Sequence, residues 1–256
     1  MSGRVTRYRA VLAYDGTEYF GFQRQAGDTP TIQGAVEAAL KQVTQQDVTV
    51  IGAGRTDTGV HATGQVIAFD VAWRHETSAL WRAMNANLPG AIALQSLEEA
   101  AATFHPRFDA RRRAYTYTLY FAPVRQPIWQ RCAWHIATHR APALDEMRKA
   151  AAGLVGTHDF ATFGQPPQGE STTREVFRSE VSLEERPETS CYVLRYTIEA
   201  NAFLYRMVRR IVGGLARVGR GDLTAEDFLT AFRAADGTWP NPSAPARGLC
   251  LTRVTY

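Results

Sequence analysis

Residues 52–62 read Gly-Ala-Gly-Arg-Thr-Asp-Thr-Gly-Val-His-Ala and place one carboxylate, Asp57, among glycines, with Arg55 two positions earlier. Gly52, Gly54 and Gly59 permit positive φ and close approach of a ligand to the main chain, which suits a tight, shaped loop. A cation within a few ångströms lowers a carboxylate pKa by roughly one to three units, so Arg55 would keep Asp57 ionised as a nucleophile or base. The plainer reading is a turn, capped by Asp57, with a solvated arginine beside it.

Several chemistries do not fit this loop. A dinucleotide-binding fingerprint needs glycine where Asp57 stands and a helix directly after it, and a P-loop needs Lys-Ser/Thr after its last glycine. Asp-Thr-Gly is also the aspartic-protease triplet, and although it occurs once, a dimeric aspartic protease stays as the weakest alternative. A protease would have to build its carboxylate pair across a dimer, and Arg55 disfavours a shared proton. The six histidines include no HExxH, and the four-residue spacing of His135 and His139 falls in a segment without a helical stripe. Cys132, Cys191 and Cys250 are too few and too far apart for a disulfide framework or a paired-cysteine zinc site. Neither metal nor cofactor is expected, which leaves a reaction run on one carboxylate.

The chain has 256 residues, enough for two domains, and its 45% hydrophobic and 21% charged content is that of a globular protein. No apolar run approaches the ~20 residues needed to span a bilayer, and residues 1–10 lack the apolar stretch of a secretory signal, so a cytoplasmic protein without membrane contact is expected. Net charge is +4, and Lys41 and Lys149 are the only lysines. Arginine binds phosphates bidentately and stacks on bases, though a biased genome also enriches it, so clustering must decide. Arg206, Arg209 and Arg210 supply a cluster next to an apolar stripe.

The elements that must position these residues follow from pattern. Residues 4–14 alternate as a strand ending at Asp15-Gly16. Residues 17–25 interleave Tyr19, Phe20 and Phe22 with Gln23, Arg24 and Gln25, a composition able to form a nucleic-acid platform. Thr31 predicts an N-cap for a helix striped by Ile32, Val36, Ala39 and Leu40. Strands are expected over 48–51 and 65–71, on either side of the Asp57 loop, then a helix over 77–88 and a strand over 91–97. This strand-helix-strand-strand-helix-strand order is the split β-α-β pattern of ferredoxin-like folds.

The second half repeats the order. Residues 113–121 form a strand, and Leu144, Met147, Ala151 and Leu154 mark a helix. A hairpin over 176–183 and 192–198 turns around Arg186-Pro187-Glu188. A helix from Asn201 carries Leu204, Val208, Ile211, Leu215 and Val218, with a glycine pair, Gly213-Gly214, that implies close packing or close ligand approach. A helix over 225–234, where Thr224 and Asp227 suggest a capping arrangement, and a strand over 249–256 complete the half. The expected fold is α+β: two ferredoxin-like halves with mainly antiparallel sheets, 1–106 and 107–256, and a catalytic cleft between them.

Gly54-Arg55-Thr56-Asp57-Thr58-Gly59-Val60-His61-Ala62 resembles the catalytic loop of the tRNA pseudouridine synthase A family. The likeness extends through Tyr14-Asp15-Gly16, Gly21-Phe22-Gln23-Arg24-Gln25, Asn85-Ala86-Asn87-Leu88-Pro89, Arg113-Ala114-Tyr115-Thr116-Tyr117 and Gly156-Thr157-His158-Asp159-Phe160. It runs on through Asn201-Ala202-Phe203-Leu204-Tyr205-Arg206-Met207-Val208-Arg209 to Gly248-Leu249. Thr58 and Phe22 stand where alanine and tryptophan are commoner in the family. The resemblance implies the pseudouridine synthase fold and isomerisation of uridine in the anticodon stem and loop of tRNA. It implies Asp57 as the catalytic aspartate, Tyr115 as the tyrosine against the target base, Arg209 as the partner of Asp57, and Arg55 as the residue that assists base flipping. Gly54, Thr56, Gly59, His61, Gln23, Arg24, Gln25, Asn201 and Arg206 are the further candidates for substrate contact. The resemblance also implies a homodimer without metal or cofactor. A non-catalytic RNA-binding module on the same fold is the competing class.

Overall fold

The computed structural model describes residues 4–166, 171–186, 191–237, 239–240 and 242–256. They divide into two compact units, one of residues 1–111 with 250–256 and one of residues 112–249. The first unit thus takes in the closing strand, which the division at residue 106 assigned to the second half.

In the first unit β1 (Val5–Tyr14) pairs antiparallel with β3 (His61–Ala72) on one side and β4 (Ile92–Glu99) on the other. A short β2 (Ile51–Gly52) pairs antiparallel with β3, giving the order β4-β1-β3-β2 of the ferredoxin-like motif. Further along the same edge of β3, Cys250 and Leu251 run parallel to His61 and Ala62. The expected strand over 48–51 contracts to β2. Helix α1 (Ile32–Thr44) begins where Thr31 was read as a cap, with the Thr31 side chain accepting from the Gly34 N–H. Helix α2 (Thr77–Asn87) packs on α1 and β4. Tyr8, Leu12, Val36, Leu40, Phe69, Leu80 and Met84 are buried in this unit.

In the second unit β5 (Arg112–Ala122) pairs antiparallel with β9 (Cys191–Ala200), β9 with β8 (Thr173–Arg186), and β8 with β7 (Gly156–Asp159). A four-residue β6 (Trp134–Ala137) lies parallel to β5. β8 and β9 are the expected hairpin strands, while residues 187–190 of the expected turn lie outside the described residues. Helix α3 (Leu144–Ala152) packs on β8 and on helices α4 (Met207–Arg220) and α5 (Ala225–Ala234). The capping box read at Thr224 and Asp227 is present. Phe160, Phe163, Phe228, Phe232 and Trp239 form an aromatic cluster. Gly214 serves packing: a Cβ there would stand 2.6 Å from the Phe228 ring and 2.8 Å from Trp239.

Helix α4 begins at Met207, six residues later than expected from Asn201. Asn201 Oδ1 accepts from the Glu175 and Ala202 N–H groups, and Arg206 adopts a left-handed conformation at φ 58°. Both hold the preceding segment out of helix. Arg206 therefore precedes the helix rather than lying on it with Arg209 and Arg210. Among the described residues no helix is long and apolar enough to cross a membrane.

Candidate active site

The loop between β2 and β3 carries Asp57, and buried side chains from the two central strands hold it from beneath. Gln65, fully buried on β3, donates from Nε2 to the Gly54 carbonyl at 2.7 Å. Tyr14 at the end of β1 shares a buried 2.8 Å hydrogen bond between its hydroxyl and Thr56 Oγ1. These two contacts bracket Arg55, whose side chain is exposed.

A second segment crosses the loop. The Phe22 N–H donates to Thr56 O at 3.0 Å, the Gly59 N–H to Tyr19 O, and the Val60 N–H to Asp57 O. Gly21, at φ +93°, lies so close that a Cβ would meet Thr56 O at 2.8 Å, and the Phe22 ring would clash with a Cβ on Gly52. Positive φ and close approach together explain glycine at position 21. Gly59 also has positive φ, 75°. Beyond it, His61 Nδ1 accepts from the Gly16 N–H and lies 3.2 Å from Asp15 Oδ1. Asp57 is half-buried, so a substrate can reach it while its backbone stays fixed.

The neighbouring Gln23, Arg24 and Gln25 are exposed but differ in their contacts. The Arg24 guanidinium sits 2.9 Å from Glu37 Oε2, and the Arg24 backbone N–H donates to Gln33 Oε1. Glu37 is buried and also accepts from the Gln33 side chain and the Val50 N–H. Arg24 thus ties its own segment to α1, while Glu37 and Gln33 tie α1 to Val50 on the segment that enters the Asp57 loop. Gln25 donates from Nε2 to Phe20 O.

Tyr115, Asn201, Arg206 and Arg209 lie in the second unit. Tyr115, on β5 opposite Ile198, is 9% exposed and meets the Phe203 ring edge-on at 5.1 Å. Asn201 shapes the turn after β9 with its side-chain oxygen and accepts Arg113 Nη1 on its backbone carbonyl. Arg209, in the first turn of α4, donates from Nε to Ala244 O at 2.8 Å, and the Ala244 N–H returns a bond to Arg209 O. The same segment takes the Tyr117 hydroxyl on Pro245 O. Burial drives the Tyr117 phenol well above its ordinary pKa, against the opposing pull of Arg209 and Arg247. Tyr117 therefore stays neutral and a hydrogen-bond donor.

Tyr14, Gln65, Gln33 and Glu37 are the supporting residues that pattern reading passed over. Tyr14 fits strand alternation as an ordinary core aromatic, and the one visible signal was a glutamine, Gln65, at the head of the apolar run over residues 66–69. Among the described residues, no three His, Cys, Asp or Glu side chains are grouped to hold a metal ion.

With this geometry in view, comparison with known proteins is decisive about class. A model of the tRNA pseudouridine synthase family matches residues 10–109 and 150–256, and the chain belongs to that family. It is an isomerase that forms pseudouridine in tRNA. It is 40% identical over 252 residues to tRNA pseudouridine synthase A of Neisseria gonorrhoeae, covering 98% of this chain and 92% of the relative. The protein of that name from Brevibacillus brevis is 42% identical over 255 residues, with 98% and 100% covered. That from Chloroflexus aurantiacus is 42% identical over 249 residues, with 96% and 87% covered. Among solved structures, an archaeal box H/ACA Nop10–Cbf5 complex aligns with 79% of this chain and 44% of its own at 12% identity and a TM-score of 0.34, too slight a likeness to carry weight.

Proposed function

We propose that this enzyme isomerises uridines in the anticodon stem and loop of tRNA, with Asp57 as its catalytic carboxylate. The observation that carries the proposal is the framing of Asp57, a half-buried carboxylate on a loop held by Tyr14, Gln65 and the Phe22 N–H. Preorganisation of this kind places a reacting group at little cost in entropy.

The reaction breaks the N1–C1′ glycosidic bond, turns the uracil and joins C5 to C1′. The C5 proton is lost to solvent and N1 gains one, so the product is an isomer. Asp57 acts by attack at C1′, by addition to C6, or by removal of the C2′ proton. The target must leave the base stack at a cost of a few kcal/mol, and an arginine filling its place lowers that cost, the role assigned to exposed Arg55. Tyr115 stacks on the uracil and assists loss of the C5 proton, since a phenol offers both a ring face and a polar tip. Arg209 is the cationic partner of Asp57. A cytoplasmic homodimer working without metal or cofactor completes the proposal.

The test is Asp57→Ala with tRNA transcript tritiated at uracil C5. The variant should bind the transcript as wild type does and release no tritium. Release at the wild-type rate would remove Asp57 from the chemistry.

A further inference from the structure

The turn between β9 and α4 is pinned before it presents its side chains. Leu204 and Met207 are buried. The Tyr205 N–H donates to Gln165 O at 3.0 Å. Gly164 lies so close behind that a Cβ would stand 2.7 Å from Tyr205 O and 2.8 Å from Leu204 Cβ. Within this frame Arg206 takes φ 58° and ψ 12°. The other described non-glycine residues with positive φ, Gln45 and Ala235, both end helices, where the left-handed conformation is common. Arg206 instead stands immediately before a helix, where an extended residue is usual. Glycine or asparagine would hold this backbone more easily, so the arginine side chain is the reason to look for a use.

That side chain is exposed, and its Cζ lies 4.9 Å from the centroid of the Tyr205 ring, itself 52% exposed. Arg206 makes no ion pair among the described residues. The first turn of α4 holds no acidic residue to offset the exposed Arg206 charge, which suits an anionic partner. Two positions before Tyr205, Phe203 touches Tyr115, the residue assigned to the target base.

We propose that Tyr205 and Arg206 form a preset contact for the RNA strand flanking the target nucleotide. Tyr205 offers its ring to an adjacent base and Arg206 its guanidinium to a phosphate. The strained backbone at Arg206 is retained because it sets the two groups side by side. This inference rests on the RNA-modifying reading above and adds to it a site of strand recognition outside the chemistry.

Arg206→Gly separates fold from function, because glycine relieves the strain while removing the contact. Its melting temperature should rise by about 2 °C. Its affinity for unmodified tRNA transcript should fall about tenfold, with the slope of log affinity against log salt reduced by about one. Tyr205→Ala should weaken binding with that slope unchanged. In both variants the loss should fall on KM rather than kcat. Wild-type affinity and KM in both variants would overturn the proposal. So would a shift from dimer to monomer accompanying the loss, since the pair would then serve a subunit interface. Wild-type enzyme that binds transcript but releases no tritium would sink the catalytic reading alone, because this inference is decided by the binding contrast.

Discussion

Tyr14→Phe deletes one oxygen from beneath the Asp57 loop. Tyr14 and Thr56 are 4% and 6% exposed, and their hydroxyls are 2.8 Å apart. The phenylalanine keeps the ring packing against Phe22 and leaves the Thr56 hydroxyl buried without its Tyr14 partner. Such an orphan costs about 1–3 kcal/mol, whereas replacing both partners by apolar groups of the same shape is close to neutral. Urea denaturation should therefore show the single variant less stable by about 1–3 kcal/mol. Tyr14→Phe combined with Thr56→Val should recover most of that loss. Turnover should not recover with it, because the bond that located the loop is absent in both variants. We expect kcat to fall by about one to two orders of magnitude with tRNA affinity unchanged. If the single variant is as stable as wild type, or the double restores kcat along with stability, the bond neither carries the loop nor places Asp57.

Gly214→Ala brings a methyl against Phe228 and Trp239 inside the second unit and should destabilise it by about 1–3 kcal/mol, read as a lowered urea midpoint. Arg7 grips Asp70 with two hydrogen bonds and holds its carboxyl below the usual aspartate range. A depressed carboxyl stabilises the fold above its unfolded pKa and loses that contribution as pH falls through the folded value. Asp70→Asn should accordingly flatten the fall in melting temperature between neutral pH and about pH 3. The exposure of Asp70 keeps the effect small.

What could be read from the chain without coordinates depended on the length scale of the signal. Long stripes and alternations gave α1, α2, β1, β5 and the β8–β9 hairpin strands, and Thr31 and Thr224 were legible caps because their side chains act within three residues. β6 and β7 went unread, since four residues carry too little alternation to stand out. The start of α4 was misplaced because the apolar stripe continues back through Leu204. What stops the helix is an asparagine bonding to β8, a contact distant in sequence. The Asp57 loop was conspicuous for its glycines and lone carboxylate. Its supports were hidden, because Tyr14 and Gln65 lie on other strands and nothing local marks them as its partners. Arg24 shows the same limit: next to glutamines and aromatics it reads as an RNA contact, while its nearest acid, Glu37, lies a helix away.

The strand that ends the described chain has a bearing on the order of assembly. Residues 250–256 belong to the unit built from residues 1–111: Tyr256 donates to Pro106 O and packs on Phe104, Arg9 lies over its ring, and the Arg111 N–H donates to Thr255 O. The second unit is thus an insertion, and on a ribosome it emerges whole before the seam of the first can close. The unit bearing Asp57 is begun first and finished last, so a chain cut just short of residue 250 and held clear of the ribosome by a long linker should display a folded second unit on a first one still unfinished.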